Sequence, residues 1–370
     1  MMSNNAQKSA IEHVGSPLLV TAGPGSGKTR VITERIKFLM KTGLKPSEIL
    51  CLTFSEKAAG ELKERLQDDN EIKEKIDISE MQISTYHSFC RNFLIDNTDS
   101  TGLGMKGGIL DRPMFLVWGV QNIDKFKFDE HIEIGNNAAE LIEKMIDGIS
   151  VFNDELITPQ DLQSYVDGKL KDPETMKDVE EFDYIHMLDN LVKIYKEYVK
   201  FKKEIDVMDY DDLIVEANKL LSNKKKPNVL KNTQEKYKHI LIDEFQDNNY
   251  AQFSIVKKLS SNGNVTAVGD ADQNIYRFQG AYTEIFKDFK KTFPDHTEIL
   301  LTKNWRNPKH VINVSNQLLS QDKFRETKKI EPTKDDSQKV NVVECTSEFA
   351  QAEFIKNKIK IGRASCRERV

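Results

Sequence analysis

The sequence predicts an α/β fold, with a doubly wound parallel sheet and a long helical insertion. Short apolar runs bounded by turn residues alternate with amphipathic stretches, a pattern typical of parallel strands joined by helices. A glycine-rich loop separates the first apolar run from the first of these helices. Between roughly Leu103 and Ile205 the strand pattern gives way to helical periodicity, which predicts a helical insertion in the sheet domain.

The first predicted unit is a strand, a loop and a helix. The run LLVTA after Pro17 is short, apolar and bounded by turn residues, which suits a buried parallel strand. The helix after the loop has apolar residues on one face, namely Ile32, Ile36, Leu39 and Met40. Gly43 is well placed to end this helix.

Four further stretches are predicted to be strands of the same sheet. They are Ile49–Phe54, Gln82–Thr85, His239–Asp243 and Val265–Gly269. Because ligands of doubly wound sheets bind at the carboxyl ends of the strands, we expect the functional site at that edge.

The clearest helix of the insertion is predicted over Val179–Ile205. Its apolar face contains Tyr184, Ile185, Leu188, Leu191, Val192 and Tyr195. Asp209 and Asp212 are interpreted as structural, because an aspartate at an N-cap with an acid three residues later is ordinary capping chemistry. Two later strand candidates, Glu298–Thr302 and Lys339–Glu344, look like the opening of a second α/β domain.

Composition limits the class of protein. The 370 residues include 54 basic and 59 acidic ones, and the net charge of −5 argues against coating of duplex DNA by bulk electrostatics. A narrow groove that holds a single strand remains compatible with this charge. The sequence contains no apolar run of membrane-spanning length and no signal-peptide layout at its start. Four cysteines without a Cys-x-x-Cys pair favour a reducing cytoplasm over a disulfide framework.

The glycine-rich loop matches the Walker A pattern, except that an alanine replaces the first glycine. Its candidate nucleotide-binding residues are Ala22, Gly23, Pro24, Gly25, Ser26, Gly27, Lys28 and Thr29. In this pattern the backbone N–H groups surround the phosphates, Lys28 reaches the β- and γ-phosphate oxygens, and the Thr29 hydroxyl binds Mg²⁺. A strand before the loop and a helix after it are the expected context, so the sequence predicts binding of ATP or GTP.

An acidic pair follows the predicted strand His239–Asp243. A strand that ends in Asp-Glu puts its first carboxylate beside the metal ion and its second near the attacking water. Asp243 would therefore hold Mg²⁺, directly or through water, and Glu244 would act as the general base. Alone such a pair is commonly a strand end that meets solvent, but together with a Walker A loop it indicates nucleotide hydrolysis.

Several stretches around these motifs resemble the superfamily 1 DNA helicases of the UvrD/Rep/PcrA type. They are Asn5–Gln7, Leu52–Leu66 (LTFSEKAAGELKERL), Ile83–Phe89 (ISTYHSF), Ile242–Asp247 (IDEFQD), Val268–Ala281 (VGDADQNIYRFQGA) and Leu301–Pro308 (LTKNWRNP). The resemblance extends from about Asn5 to Lys360. It implies a RecA-like P-loop NTPase domain with a helical insertion, the start of a second RecA-like domain, and ATP- and Mg²⁺-dependent action on single-stranded DNA or a 3′-tailed duplex with 3′→5′ polarity.

The resemblance also implies roles for individual residues. Gln7 would recognise adenine, and Gln273 would sense the γ-phosphate. Arg306 would reach the γ-phosphate from the second domain, and Trp305 would stack on the adenine where the family usually has tyrosine. The positions that match single-strand DNA contacts are Phe54, His87 and Phe278.

Each of these positions has a plainer alternative that the sequence leaves open. Phe54 and Phe278 are alternatively core aromatics, His87 a hydrogen-bonded structural histidine, and Trp305 a residue of inter-domain packing. Gln279 stands where the family usually has arginine, so we expect the link between the nucleotide and DNA sites to differ there.

The implied domain plan has five parts. They are a RecA-like motor domain in two segments, 1–102 and 206–293, a helical insertion, 103–205, the start of a second RecA-like domain, 294–360, and a tail, 361–370. The tail (IGRASCRERV) departs from the preceding composition and resembles the translation of a sequencing-library adapter. We therefore expect the natural gene to continue past Lys360 and to supply the later helicase motifs.

These observations predict an ATP-dependent DNA helicase, represented by its amino-terminal portion. We expect this portion to bind nucleotide better than it hydrolyses it, because the later motifs would supply a second arginine to the phosphates. The alternatives are a subunit of a helicase–nuclease, a P-loop ATPase switch without unwinding activity, and an inactive fragment that binds nucleotide or DNA.

Overall fold

The computed structural model describes residues 4–69, 77–98, 108–126, 128, 138–172, 177–260, 262–274, 282, 284–321, 329–334 and 339–367. The chain divides into two units, Met1–Asn304 and Trp305–Val370. The strands are β1 Leu18–Ala22, β2 Ile49–Thr53, β3 Gln82–Thr85, β4 Ile109–Leu110, β5 Met208–Asp209, β6 His239–Ile242, β7 Val265–Gly269, β8 Thr297–Leu301, β9 Lys303–Pro308 and β10 Glu331–Lys334. The helices of the first unit are α1 Asn5–Glu12, α2 Lys28–Lys41, α3 Glu56–Gln67, α4 Tyr86–Asp96, α5 Arg112–Gln121, α6 Ala138–Asp154, α7 Pro159–Lys169, α8 Val179–Glu204, α9 Tyr210–Leu221, α10 Pro227–Lys236, α11 Tyr250–Leu259 and α12 Ile285–Thr292. Those of the second unit are α13 Lys309–Leu319 and α14 Glu348–Arg367.

A six-stranded parallel sheet forms the centre of the first unit, in the order β3-β2-β6-β7-β1-β8. Every residue of β1, β2, β6 and β7 is buried. Such strands are apolar on both faces, because helices cover both sides of a parallel sheet. The predicted α/β class and the five strands predicted for this domain are therefore confirmed.

The two faces of the sheet bury separate apolar cores. On β1, Leu18 and Val20 point into one core with residues of α1, α2 and α3, whereas Leu19 points into the other with residues of α4, α9, α10, α11 and α12. This alternation follows from the two-residue repeat of a strand. The predicted helix after the glycine loop is α2, and Gly43 lies just beyond its C-cap with φ +109°.

Helices α5 to α8 surround a third apolar core of their own. The chain enters and leaves this helical region through the short parallel pair of β4 and β5. On α8 five of the predicted apolar residues are buried, namely Ile185, Leu188, Leu191, Val192 and Tyr195. Tyr184 is 52% exposed, so its prediction as a core residue is wrong. The next residue, Ile185, is fully buried, so the covered surface at this end of the helix includes Ile185 and leaves Tyr184 in solvent.

The acidic residues before α9 have a structural role, as the sequence indicates. Asp209 caps the helix, and its side chain and that of Asp212 each accept a hydrogen bond from the other's main-chain N–H. The nearly buried Lys202 lies 2.7 Å from both carboxylates. The carboxyl end of α8 is therefore joined to the start of α9 by a buried ion cluster.

The predicted start of the second domain at residue 294 needs a correction. The run predicted as Glu298–Thr302 forms strand β8, but this strand pairs with β1 in the first sheet and covers an edge that would otherwise expose unpaired main-chain groups. Residues 339–344 have no regular secondary structure, so the strand predicted at Lys339–Glu344 is wrong.

Among the described residues, no helix combines the length and the apolar character needed to cross a membrane.

Candidate nucleotide-binding site

The glycine-rich loop connects β1 to α2 at the carboxyl edge of the sheet. Gly25 and Gly27 have φ values of +72° and +95°, which side chains other than glycine rarely adopt. The Ser26 hydroxyl donates to the Gly23 carbonyl oxygen at 2.6 Å and closes the loop. Because α2 begins directly after the loop, at Lys28, its first free N–H groups and its dipole face the loop and favour an anion there.

The two predicted nucleotide motifs meet at a direct ion pair. Lys28 Nζ lies 2.6 Å from Glu244 Oε2, with side chains that are 9% and 37% exposed. Glu244 lies two residues after the end of β6, and its main chain adopts a left-handed conformation there, with φ +48°. Its main-chain N–H donates to Asp243 Oδ1 at 3.0 Å. A strained residue of this kind is typical of functional sites.

The oxygen groups beside the loop suit a hard cation. Burial, together with the charge of Glu244, raises the pKa of Asp243 to about 6, and the same two causes raise the pKa of Asp247 to about 6. Asp247 Oδ1 is buried and has no hydrogen-bond partner among the described residues. A divalent cation would offset this accumulated negative charge, and the Thr29 hydroxyl with the Asp243 carboxylate is a donor set that Mg²⁺ accepts. The residues present therefore fit Mg²⁺.

Gln7 lies against the glycine-rich loop. Its side chain is 3% exposed, and Nε2 donates to the Ser26 carbonyl oxygen at 2.9 Å. Gln7 and Asn4 form a capping box at the start of α1, so the first turn of this helix is well defined. A Cβ atom on Gly27 would lie 2.8 Å from Gln7 Nε2, so the glycine makes room for the amide.

Gln246 is a residue of this site that the sequence analysis did not single out. It is 2% exposed; Nε2 donates to Glu244 Oε2 at 2.8 Å, and Oε1 accepts the main-chain N–H of Asp270 at 2.8 Å. Asp270 Oδ2 in turn accepts from Gln273 Nε2 at 2.6 Å. The loops after β6 and β7 are therefore joined by side chains. The sequence signal that could have identified Gln246 is its place in the IDEFQD stretch.

Two of the three predicted DNA-contact residues, Phe54 and His87, are among the described residues. Phe54 follows β2 and is 45% exposed, so it is not a core aromatic. His87 lies at the start of α4, half-buried, with its ring 6.1 Å from that of Tyr210, and burial lowers the pKa of the imidazole. Both follow strands of the central sheet at the carboxyl edge, as the nucleotide loop does. Phe278 and Gln279 lie outside the described residues.

Trp305 and Arg306 belong to the second unit. Trp305 is 39% exposed, and the Arg306 main-chain oxygen accepts a hydrogen bond from Lys334 Nζ at 3.3 Å. Asn304, the last residue of the first unit, is buried and donates from Nδ2 to the Pro24 carbonyl oxygen. The end of the first unit therefore contacts the glycine-rich loop directly.

Comparisons with known proteins show the family of this chain. Residues 3–294 match the model of the UvrD/REP helicase N-terminal domain family. The chain is 33% identical over 363 residues to a probable DNA helicase II homolog of Mycoplasma capricolum subsp. capricolum, which covers 96% of this chain and 46% of that protein. It is 32% identical over 363 residues to the ATP-dependent DNA helicase PcrA of Bacillus subtilis, covering 96% and 44%, and 32% identical over 359 residues to PcrA of Staphylococcus aureus, covering 95% and 44%.

The chain thus spans less than half the length of these curated relatives. The family match, by contrast, covers most of the chain and includes the glycine-rich loop, the Asp-Glu pair and the loop after β7. The chain therefore belongs to the UvrD/REP helicase N-terminal domain family.

Proposed function

We propose that this chain is the ATP-binding part of an ATP-dependent DNA helicase that moves 3′→5′ along single-stranded DNA in the cytoplasm. The observation that carries the proposal is the contact between Lys28 and Glu244, which joins the phosphate-binding loop to the acidic pair. Relatives with the printed names DNA helicase II homolog and ATP-dependent DNA helicase PcrA support it. The polarity rests on the family resemblance alone.

In this proposal the residues around the glycine-rich loop have separate roles in ATP hydrolysis. Lys28 and the loop N–H groups bind the phosphates of ATP, and Gln7 recognises the adenine. Thr29 and Asp243 would hold Mg²⁺, which neutralises charge on the β- and γ-phosphates when bound. Glu244 orients the attacking water and accepts its proton.

Two further roles link this chemistry to DNA. Gln273 senses the γ-phosphate, and its hydrogen bond to Asp270 connects it through Gln246 to the base Glu244. Phe54 and His87 contact the single strand at the same edge of the sheet, and Phe278, which lies outside the described residues, is the third proposed contact. Aromatic stacking on bases tolerates any sequence, as a translocating motor requires.

The domain assignment completes the proposal. Segments 1–102 and 206–304 form the first RecA-like motor domain around the helical insertion 103–205, and residues from 305 to 360 begin the second. Arg306 would reach the γ-phosphate from there, and Trp305 would stack on the adenine. The alternatives are a helicase–nuclease subunit and an ATPase switch.

ATP hydrolysis by the chain, measured with and without a single-stranded oligonucleotide, tests the proposal. Lys28→Ala is the matched control, because it removes the phosphate-binding amine from the same loop. Stimulation by DNA in the parent and its loss in the variant would support a DNA motor, and unwinding of a 3′-tailed but not a 5′-tailed duplex would support the polarity. A rate of hydrolysis that DNA does not change would instead favour the ATPase switch. Absence of Mg-ATP binding would contradict the nucleotide site.

A further inference from the structure

Arg35 is a buried cation that binds the carboxyl end of α1. The residue is 1% exposed, and Nη1 donates to the main-chain oxygens of Ala10 at 2.9 Å, Ile11 at 3.1 Å and His13 at 2.9 Å. These oxygens lie in the last turn of α1 and just beyond it, where carbonyl groups lack partners within the helix. The dipole of a helix also favours a positive charge at this end.

The guanidinium is anchored to the sheet as well. Arg35 Nε donates to Thr266 Oγ1 on β7 at 2.8 Å, and the same hydroxyl lies 2.9 Å from His239 Nε2 on the neighbouring β6. None of the hydrogen bonds described for Arg35 goes to a carboxylate, and burial lowers its pKa to about 10. A buried cation without a carboxylate partner is a costly way to pack a helix. The position of α1 is therefore specified by hydrogen-bond geometry and not by apolar contact alone.

Arg35 connects the two helices that carry the two halves of the nucleotide site. Helix α1 carries Gln7, whose Nε2 donates to the Ser26 carbonyl oxygen of the phosphate loop. Helix α2 begins at Lys28 and carries Arg35 two turns later. The guanidinium therefore links the helix that carries Gln7 to the helix that follows the phosphate loop.

We propose that Arg35 is a positioning residue for nucleobase selectivity. It holds α1 so that Gln7 meets the adenine of a nucleotide whose phosphates are bound at Lys28. This inference rests on the proposed function, which assigns adenine recognition to Gln7. When the guanidinium is lost, α1 shifts against α2, and the contact with the base weakens while the contacts with the phosphates remain.

The test compares the affinity of the whole chain for Mg-ATP with its affinity for inorganic triphosphate and Mg²⁺, a ligand without a base. Arg35→Lys keeps the charge and removes the branched donor set, and Thr266→Val removes the anchor on the sheet. Gln7→Ala serves as the reference for a lost base contact. Leu62→Ala is the matched control, because it truncates a buried side chain on α3 without removing a hydrogen bond to α1. Thermal unfolding identifies the variants that are folded at the temperature of the assay.

We expect Arg35→Lys to lower the ratio of ATP affinity to triphosphate affinity about fivefold, the effect of one lost hydrogen bond. Thr266→Val should change the ratio in the same direction, and Leu62→Ala should leave it unchanged. An unchanged ratio in folded Arg35→Lys, beside a lowered ratio in Gln7→Ala, would overturn the positioning role alone. An unchanged ratio in Gln7→Ala would overturn adenine recognition by that residue and the inference with it. An equal loss of both affinities in Arg35→Lys would show that Arg35 supports the loop as a whole, which also overturns the inference.

Discussion

The ion pair between Lys28 and Glu244 predicts opposite effects for substitutions at its two ends. Lys28 Nζ lies 2.6 Å from Glu244 Oε2, and this amine is the group that a Walker A loop presents to the β- and γ-phosphates. Nucleotide binding therefore requires Lys28 to exchange one anionic partner for another. Lys28→Ala removes the amine, whereas Glu244→Gln keeps the amine and removes the charge that competes for it.

The expected changes in ATP affinity follow from the charge and the solvent exposure of the two side chains. A hydrogen bond to a charged group contributes about 1.5–3 kcal/mol, so Lys28→Ala should weaken Mg-ATP binding about 10- to 150-fold. Because the Glu244 side chain is 37% exposed, solvent screens the pair, and its net worth is about 1 kcal/mol or less. Glu244→Gln should therefore leave ATP binding unchanged or tighten it up to about fivefold. Loss of the general base should lower hydrolysis by about 10²- to 10⁴-fold.

The assay is equilibrium binding of Mg-ATP followed by single-turnover hydrolysis, for the parent and both variants. Thermal unfolding controls for the loss of the ion pair itself, since both variants break it. Unchanged ATP affinity in Lys28→Ala would refute the Walker assignment. Equal weakening of ATP binding by both substitutions would show that Glu244 supports the loop and does not compete for the amine, and equal turnover in Glu244→Gln and the parent would exclude Glu244 as the base.

Three further predictions concern neighbouring residues. Gly27→Ala should lower the free energy of unfolding by about 1–2 kcal/mol because its φ is +95°. It should also weaken ATP binding, since the new Cβ lies 2.8 Å from Gln7 Nε2; stability and affinity equal to the parent's in urea unfolding and titration would contradict this. Asp154 accepts a hydrogen bond from Asn249, and burial, with nearby acidic charge, raises its pKa to about 8. Between about pH 4 and pH 8 this carboxyl therefore ionises in the unfolded state but stays protonated in the folded state, so the stability of the fold falls as the pH rises. Asp154→Asn should remove this fall, so its stability relative to the parent should rise from pH 4 to pH 8 in urea unfolding, by up to about 5 kcal/mol; a gain independent of pH would refute the assignment. Gln246→Leu removes the hydrogen bonds from Gln246 to Glu244 and to the main-chain N–H of Asp270, so it should cost about 1–3 kcal/mol of stability and reduce ATP turnover at unchanged ATP affinity. A loss of affinity equal to the loss of turnover would argue against a role in positioning the base.

Local patterns were sufficient to predict most of the first sheet. Strands β1, β2, β6 and β7 are mostly apolar and fully buried, since a parallel strand covered by helices on both faces needs few polar residues. Strand β3, with the sequence QIST, was predicted correctly although only one of its residues is apolar. The capping residues Asp209 and Asp212 were predictable for a similar reason, because the capping box lies within four consecutive residues. Features whose cause lies within one element can be read from the order of the residues.

Features that depend on distant elements were not predictable in this way. Strand β8 was expected in a second domain, but the free edge of β1, far away in the chain, provides its hydrogen-bond partners. Tyr184 has the periodicity of a core residue, yet it is 52% exposed while the next residue, Ile185, is fully buried. Periodicity identifies a face of a helix, but it does not say where along the helix that face is covered.

In the candidate site, too, some features were predictable from the sequence and others depended on the tertiary structure. The residue types and spacing of the loop at Gly25–Thr29 and of the pair Asp243–Glu244 were sufficient to predict a strand end, a phosphate loop and two carboxylates for nucleotide hydrolysis. Only the tertiary structure decided that Lys28 contacts Glu244, that Gln246 joins two loops, and that Arg35 ties α1 to the sheet. These contacts join residues on separate strands and helices, and their geometry follows from the order and twist of the strands, which a linear pattern does not contain.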